Sequence, residues 1–179
     1  MPVLIALLRG VNVGGKNKIK MDALRDLCES LKFRDACTHL QSGNLVFRSA
    51  SESGAAAKLE KAIEREFGIH SSVIVRTPEE LAGVIARNPF ADRGLDPSKL
   101  LVYFLSGEPS PEARAKLSQI QCAPDELHVH ARELFAYFPN GMGRPKLSMA
   151  AVDRALKIPG TGRNWNTVSK LLEIATAMK

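Results

Sequence analysis

Short apolar runs alternate with amphipathic stretches along the chain, and their order predicts the fold. VLIALLR (3–9) reads as a buried strand. MDALRDLCESLKF follows, with Met21, Leu24, Leu27, Cys28 and Leu31 spaced as one face of a helix. ACTHLQ and NLVFRS are short strand-like runs joined by Ser42 and Gly43, the pattern of a hairpin. GAAAKLEKAIEREFG is a helix closed by Gly68, and SSVIVRT is another strand. Strand, helix, strand, strand, helix, strand is the split βαββαβ order of ferredoxin-like domains, with an antiparallel sheet.

After the helix PEELAGVIARN and the loop PFADRGLDPS, a second pass begins. KLLVYFL is a strand, SPEARAKLSQI a helix, and ELHVHA with ELFAYF two further strands; SMAAVDRALK and WNTVSKLLEIATA are helical. The expectation is an α+β protein of two small subdomains. Residues 1–88 form the ferredoxin-like unit, and 89–179 a βαββα variant with an added C-terminal helix.

In a βαββαβ unit the first strand-to-helix connection and the hairpin turn share one edge of the sheet. That brings Arg9, Asn12, Gly14, Gly15 and Lys16 toward Gln41, Ser42 and Asn44, with Gly68 and His70 at the same edge. GVNVGGKN within this connection is one residue away from the phosphate-loop pattern G-x-x-x-x-G-K-[ST]. Hydrolysis needs a Ser or Thr hydroxyl for Mg²⁺ after the Lys, and here Asn17 follows; the helical pattern begins only near Met21, and the expected sheet is antiparallel. What remains is a Gly-rich turn whose N–H groups approach an anion, with Lys16, Lys18 and Lys20 adding charge; equally, the glycines serve a tight connection.

Charge sharpens this picture. The net charge is +6, and it is unevenly spread. Residues 1–20 carry Arg9, Lys16, Lys18 and Lys20 with no acid, and residues 132–170 carry seven Lys/Arg against two acids. Anionic partners at these two segments follow: a nucleotide, a phosphorylated small molecule or a nucleic-acid backbone. In the second segment TGRNW precedes an amphipathic helix, so Asn164 or Thr161 is placed to cap it and Arg163 to offer a bidentate fork. Only 6% of residues are aromatic, which disfavours base stacking on a sheet face.

Other chemistry is thin. His128 and His130 share one side of a strand but lack further ligands at metal-binding spacing, so no metal and no cofactor is expected. Cys37 and His39 have no evident activating partner. Three cysteines without a C-x-x-C pair fit a reducing cytoplasm, and no apolar run is long enough for a signal peptide or a membrane span, so no membrane partner is expected. The pattern sets no oligomeric state and defines no reaction.

LLRGVNVGGKNKIKM, QSGNLVF, NPF and TGRNWNTVSKLL, in this order and spacing, are similar to the bacterial family known as domain of unknown function 1697. The resemblance implies a two-subdomain α+β fold and no established reaction. Its polar motif residues fall on Arg9, Gly10, Asn12, Gly14, Gly15, Gln41, Ser42, Gly43, Asn44, Arg163, Asn164 and Thr167. Pro145 in GMGRPKL is a departure, standing where the family usually carries Ser. Together these readings point to an anion-binding protein, with an enzyme acting on a small anionic substrate and a protein-interaction scaffold as alternatives.

Overall fold

The computed structural model describes residues 1–179. It divides into two compact units, Met1–Gly83 with Lys170–Lys179, and Val84–Ser169. The sequence reading places the boundary after residue 88 and assigns the whole last helix to the second subdomain. In the structure the division falls inside that helix, and its last turns belong to the first unit.

The first unit runs β1 (Val3–Leu8), α1 (Met21–Ser30), β2 (Arg34–Thr38), β3 (Asn44–Arg48), α2 (Ala55–Phe67) and β4 (Val73–Arg76). Its sheet order is β2-β3-β1-β4 with every pairing antiparallel, the ferredoxin-like arrangement. Strand alternation sends Leu4, Ala6, Leu8, Leu45 and Phe47 to one face, where Leu24, Leu27 and Cys28 of α1 and Leu59 and Ile63 of α2 cover them. Gly68 closes α2 in the left-handed conformation at φ +65°, its N–H donating to Glu64. The next helix, α3 (Pro78–Ala86), starts with a reciprocal cap: Glu80 N–H donates to Thr77 Oγ1, and Thr77 N–H to Glu80 Oε2.

The second unit repeats the plan: β5 (Leu100–Leu105), α4 (Pro111–Ser118), β6 (Glu126–His130), β7 (Glu133–Tyr137), α5 (Met149–Leu156) and β8 (Gly160–Asn164), followed by α6 (Trp165–Ala177). Sheet order is β6-β7-β5-β8, again antiparallel. The structure thus adds a strand that the sequence reading lacks: Gly160–Asn164 is β8 rather than a loop, so the unit is a complete βαββαβ. Gly-Thr-Gly-Arg-Asn hides its strand character because glycine is unfavourable in a strand. Here glycine is required. A Cβ on Gly160 would lie 2.4 Å from Cε1 of Tyr103, whose ring crosses the strand.

The two units match residue by residue. Leu8 N–H donates to the Gly43 carbonyl and Arg9 N–H to Ser72, while Leu105 N–H donates to Arg132 and Ser106 N–H to Pro159. In this frame Arg76, opposite Ile5, corresponds to Arg163, opposite Val102. Both arginines are buried, and each Nη1 donates to the preceding carbonyl, at 3.0 Å to Val75 and 2.8 Å to Gly162.

Candidate functional site

The matching frame exposes one large difference. Between β5 and α4 the chain needs only residues 106–110, whereas between β1 and α1 it spends residues 9–20. The longer connection places Val11 and Ile19 in the core and carries its remaining residues out to solvent. Loops elaborated on a rigid sheet edge are where binding residues concentrate.

Two asparagines shape this connection. Asn12, at φ +56°, donates from Nδ2 to the carbonyls of Ile19 (3.0 Å) and Gln41 (2.7 Å), and its Oδ1 accepts from Ile19 N–H (2.9 Å). Asn17 donates to the Gly10 carbonyl at 3.0 Å. Between them Val13 and Lys16 pair across a two-residue turn in which Gly14 and Gly15 both have positive φ, the signature of a type I′ hairpin. The hairpin is therefore a fixed projection, with Lys16 at its base and Val13 exposed.

The QSGN turn lies at the same edge, as its order in the chain requires. Gly43 is indispensable there: φ is +84°, and a Cβ would meet Leu8 Cβ at 2.9 Å. Asn44 is fully buried and donates to His39 O (2.6 Å) and Ser42 Oγ (2.9 Å), so it latches the hairpin from inside. Ser71 completes the edge by donating to the Arg9 carbonyl at 2.7 Å. Asn12, Ser42 and Asn44, three of the expected ligand residues, thus use their polar atoms to hold the edge together.

A groove of about 780 Å³ opens beside them, lined by Asn12, Gly15, Lys18, Ile19, Lys20, Met21, Asp22 and Gln41. The α1 N-terminus forms one wall. Lys20 occupies the cap position without a side-chain hydrogen bond to the first turn. The exposed ammonium groups of Lys16, Lys18 and Lys20 have no acidic partner, and the Gln41 amide is likewise uncommitted. Asp22 pairs through Oδ1 with Arg25, leaving Oδ2 open. Sequence reading found Lys16, Lys18, Lys20 and Gln41 but missed Met21 and Asp22, because both fit an ordinary first helical turn. Their signal is position: they follow directly on the Gly/Lys segment.

The phosphate-loop comparison resolves as the sequence indicated. Helix α1 begins at Met21, well beyond Lys16, and β1 sits in an antiparallel sheet. The second basic segment, apart from Lys170, lies in the other unit. Arg163 is 6% exposed, with Nη1 donating to Thr161 Oγ1 (2.7 Å) and Gly162 O; burial draws its pKa down from 12.5 to about 10, still charged at neutral pH. Asn164 caps α6, its Oδ1 accepting from Asn166 N–H at 2.9 Å while Nδ2 donates to Ser98 O. Thr161 does not cap; its hydroxyl serves Arg163.

The remaining chemical candidates are ordinary. His128 is exposed and meets Phe90 edge-on, with ring centroids 5.2 Å apart. No group of three His, Cys, Asp or Glu side chains is placed to hold a metal ion. Burial raises the Cys37 thiol above its ordinary range, against a smaller opposing hydrogen bond from Val46 and the charge of Arg25. No helix is long and apolar enough to cross a membrane.

Two ferredoxin-like units, with an elaborated basic connection on the first, define an α+β class of protein. The chain belongs to the family described as protein of unknown function (DUF1697), whose model matches residues 1–135. Among solved structures it is similar to the conserved bacterial protein SP0830 from Streptococcus pneumoniae, with a TM-score of 0.74 and 23% identity over 97% of this chain and 98% of that one. That likeness concerns the fold. No curated protein matches the sequence.

Proposed function

We propose that the protein binds a phosphate-bearing or similarly anionic ligand in the groove of the first unit. The observation that carries this reading is the pair Lys18 and Lys20, without acidic partners, lining a groove of about 780 Å³ at the uncapped start of α1. Backbone N–H groups at a helix start favour negative charge, and ammonium groups add to the field. Lys16 stands nearby on the Gly14–Gly15 hairpin and strengthens it. Asn12, Asn17, Ser42 and Asn44 preorganise the edge without being consumed by the ligand.

The test is calorimetric titration of the full chain with inorganic phosphate and phosphorylated small molecules, at low and moderate salt. Lys18→Ala combined with Lys20→Ala is expected to weaken binding about three- to thirtyfold at unchanged melting temperature, since each exposed charge is worth roughly 0.3 to 1 kcal/mol at such a site. Unaltered affinity in the double variant refutes the reading.

A specific observation favours a second reading, an interaction surface. Val13 is 62% exposed and Leu40 is 57% exposed, and they adjoin Asn12 and Gln41, which are hydrogen-bonded to each other. Val13→Ser with Leu40→Ser would abolish capture of a macromolecular partner while sparing small-anion binding.

A further inference from the structure

From the polar atoms left uncommitted around the groove, we infer that its ligand is a nucleoside phosphate. This rests on the anion-binding reading and narrows it. Four lining side chains, Lys18, Lys20, Asp22 and Gln41, keep open hydrogen-bonding atoms, whereas the lining amide of Asn12 is spent on the loop itself.

The open set is chemically mixed, and the mixture matters. Two ammonium groups and the α1 start suit a phosphate. A bare phosphate gains nothing from Asp22, whose carboxylate repels it. A ribose does gain, because a carboxylate oxygen accepts from a sugar hydroxyl, the role an acid plays in dinucleotide sites. Oδ1 pairs with Arg25, and Oδ2 is open to the sugar. Gln41 offers a donor and an acceptor side by side, the pair that reads a base edge. Met21 and Ile19 supply an apolar floor, and a thioether adapts to a flat ring.

Size agrees. A groove of about 780 Å³ is in the range of sites for organic ligands of several hundred daltons, roughly 300–1,000 Å³. Inorganic phosphate would leave most of it to water. A polynucleotide accounts for the lysines but not for a carboxylate among them, since each further phosphate adds repulsion at Asp22.

The experiment is calorimetry on the full chain with the four common ribonucleoside 5′-monophosphates. Ribose 5-phosphate, inorganic phosphate, a 2′,3′-dideoxynucleotide and single-stranded DNAs of several lengths serve as comparison probes. At least one ribonucleotide is expected to bind roughly tenfold or more tightly than ribose 5-phosphate, the discrimination that one bidentate amide contact supplies. Gln41→Ala is expected to erase that ratio, Asp22→Ala, which removes the acceptor, to erase the preference for ribonucleotide over dideoxynucleotide, and Lys18→Ala/Lys20→Ala to weaken binding of every anion. These side chains are exposed or rim-lying, and thermal melts confirm that each variant folds. Equal affinity for nucleotide and ribose 5-phosphate overturns the inference while leaving the anion site intact. Binding that grows with DNA length and ignores Asp22 and Gln41 overturns it in favour of a polynucleotide, and absence of binding by every probe overturns both readings.

Discussion

The Asn12 side-chain amide donates to the Gln41 backbone carbonyl at 2.7 Å, joining two turns separated by 29 residues. The same side chain also brackets Ile19 through both its N–H and its carbonyl. One residue therefore sets the shape of the first connection and its distance from the hairpin. Replacing Asn12 by Ala removes all three bonds and strands partly buried backbone groups, so a loss of about 1–3 kcal/mol is expected in urea unfolding. Asn12→Asp retains the acceptor for Ile19 N–H but turns a carboxylate oxygen toward the Ile19 and Gln41 carbonyls, and it should lose at least as much as Ala.

The glycines at this edge are not equivalent. Gly43 combines φ +84° with a 2.9 Å approach of a built Cβ to Leu8 Cβ, and neither atom can swing away. Gly14 and Gly15 have positive φ but open space around them. Gly43→Ala is expected to destabilise by about 2–4 kcal/mol, combining backbone strain and overpacking, against about 1 kcal/mol for Gly14→Ala or Gly15→Ala. Equal losses at the three positions would refute this ranking.

In the second unit, Gly160 and Tyr103 are coupled in the same sense. The Tyr103 ring occupies the space of a Gly160 Cβ, and its hydroxyl donates to Asp153 Oδ1 at 2.5 Å. Gly160→Ala should be costly in the wild type and distinctly less so beside Tyr103→Leu, giving a double-mutant coupling of about 1 kcal/mol or more. Tyr103→Phe, which spares the ring, should lose about 1.5–3 kcal/mol through the bond to the carboxylate.

Burial pushes the Cys28 thiol up from 9.0 to about 12, with a smaller contribution from Glu29. The folded state keeps this proton where the unfolded state loses it. Its contribution to stability is therefore fully present below pH 9 and falls as pH rises from 9 toward 12. The limiting slope is about 1.4 kcal/mol per pH unit. Cys28→Ala should remove this component from the pH profile of chemical unfolding, and Cys28 should be the slowest of the three thiols to react with an aromatic disulfide at pH 8.

The fold was legible wherever apolar periodicity sets the element. The other elements of the first unit, and the helices bearing Leu117, Val152 and Leu171, follow their hydrophobic spacing, whereas β2 begins at Arg34, ahead of the ACTHLQ run, and has no fully buried residue. Strand β8 was not legible, because its glycines answer to the Tyr103 ring, a partner more than fifty residues away. Sequence order brought the first connection and the QSGN turn to one edge, as the Asn12–Gln41 hydrogen bond shows, but gave no means of separating the parts their residues play. Asn12 and Gln41 look alike as motif amides, yet one is spent on backbone carbonyls and the other faces the groove with its amide uncommitted. Arg163 shows the same limit: a helix-flanking arginine in the text of the chain is a buried strand residue in space.

The unequal connections after β1 and β5 give the molecule a division of labour. The short return between Leu105 and Pro111 shows how little chain the framework needs for its own closure. Residues 9–20 spend their additional length on two core anchors, Val11 and Ile19, and on an exposed tip held in shape by Asn12 and Asn17. The exposed tip and its lysines therefore stand on an anchored base: substitutions at Lys16 or Lys18 change the charge this edge presents, whereas substitutions at Val11, Asn12 or Ile19 reach the core and the turn beneath.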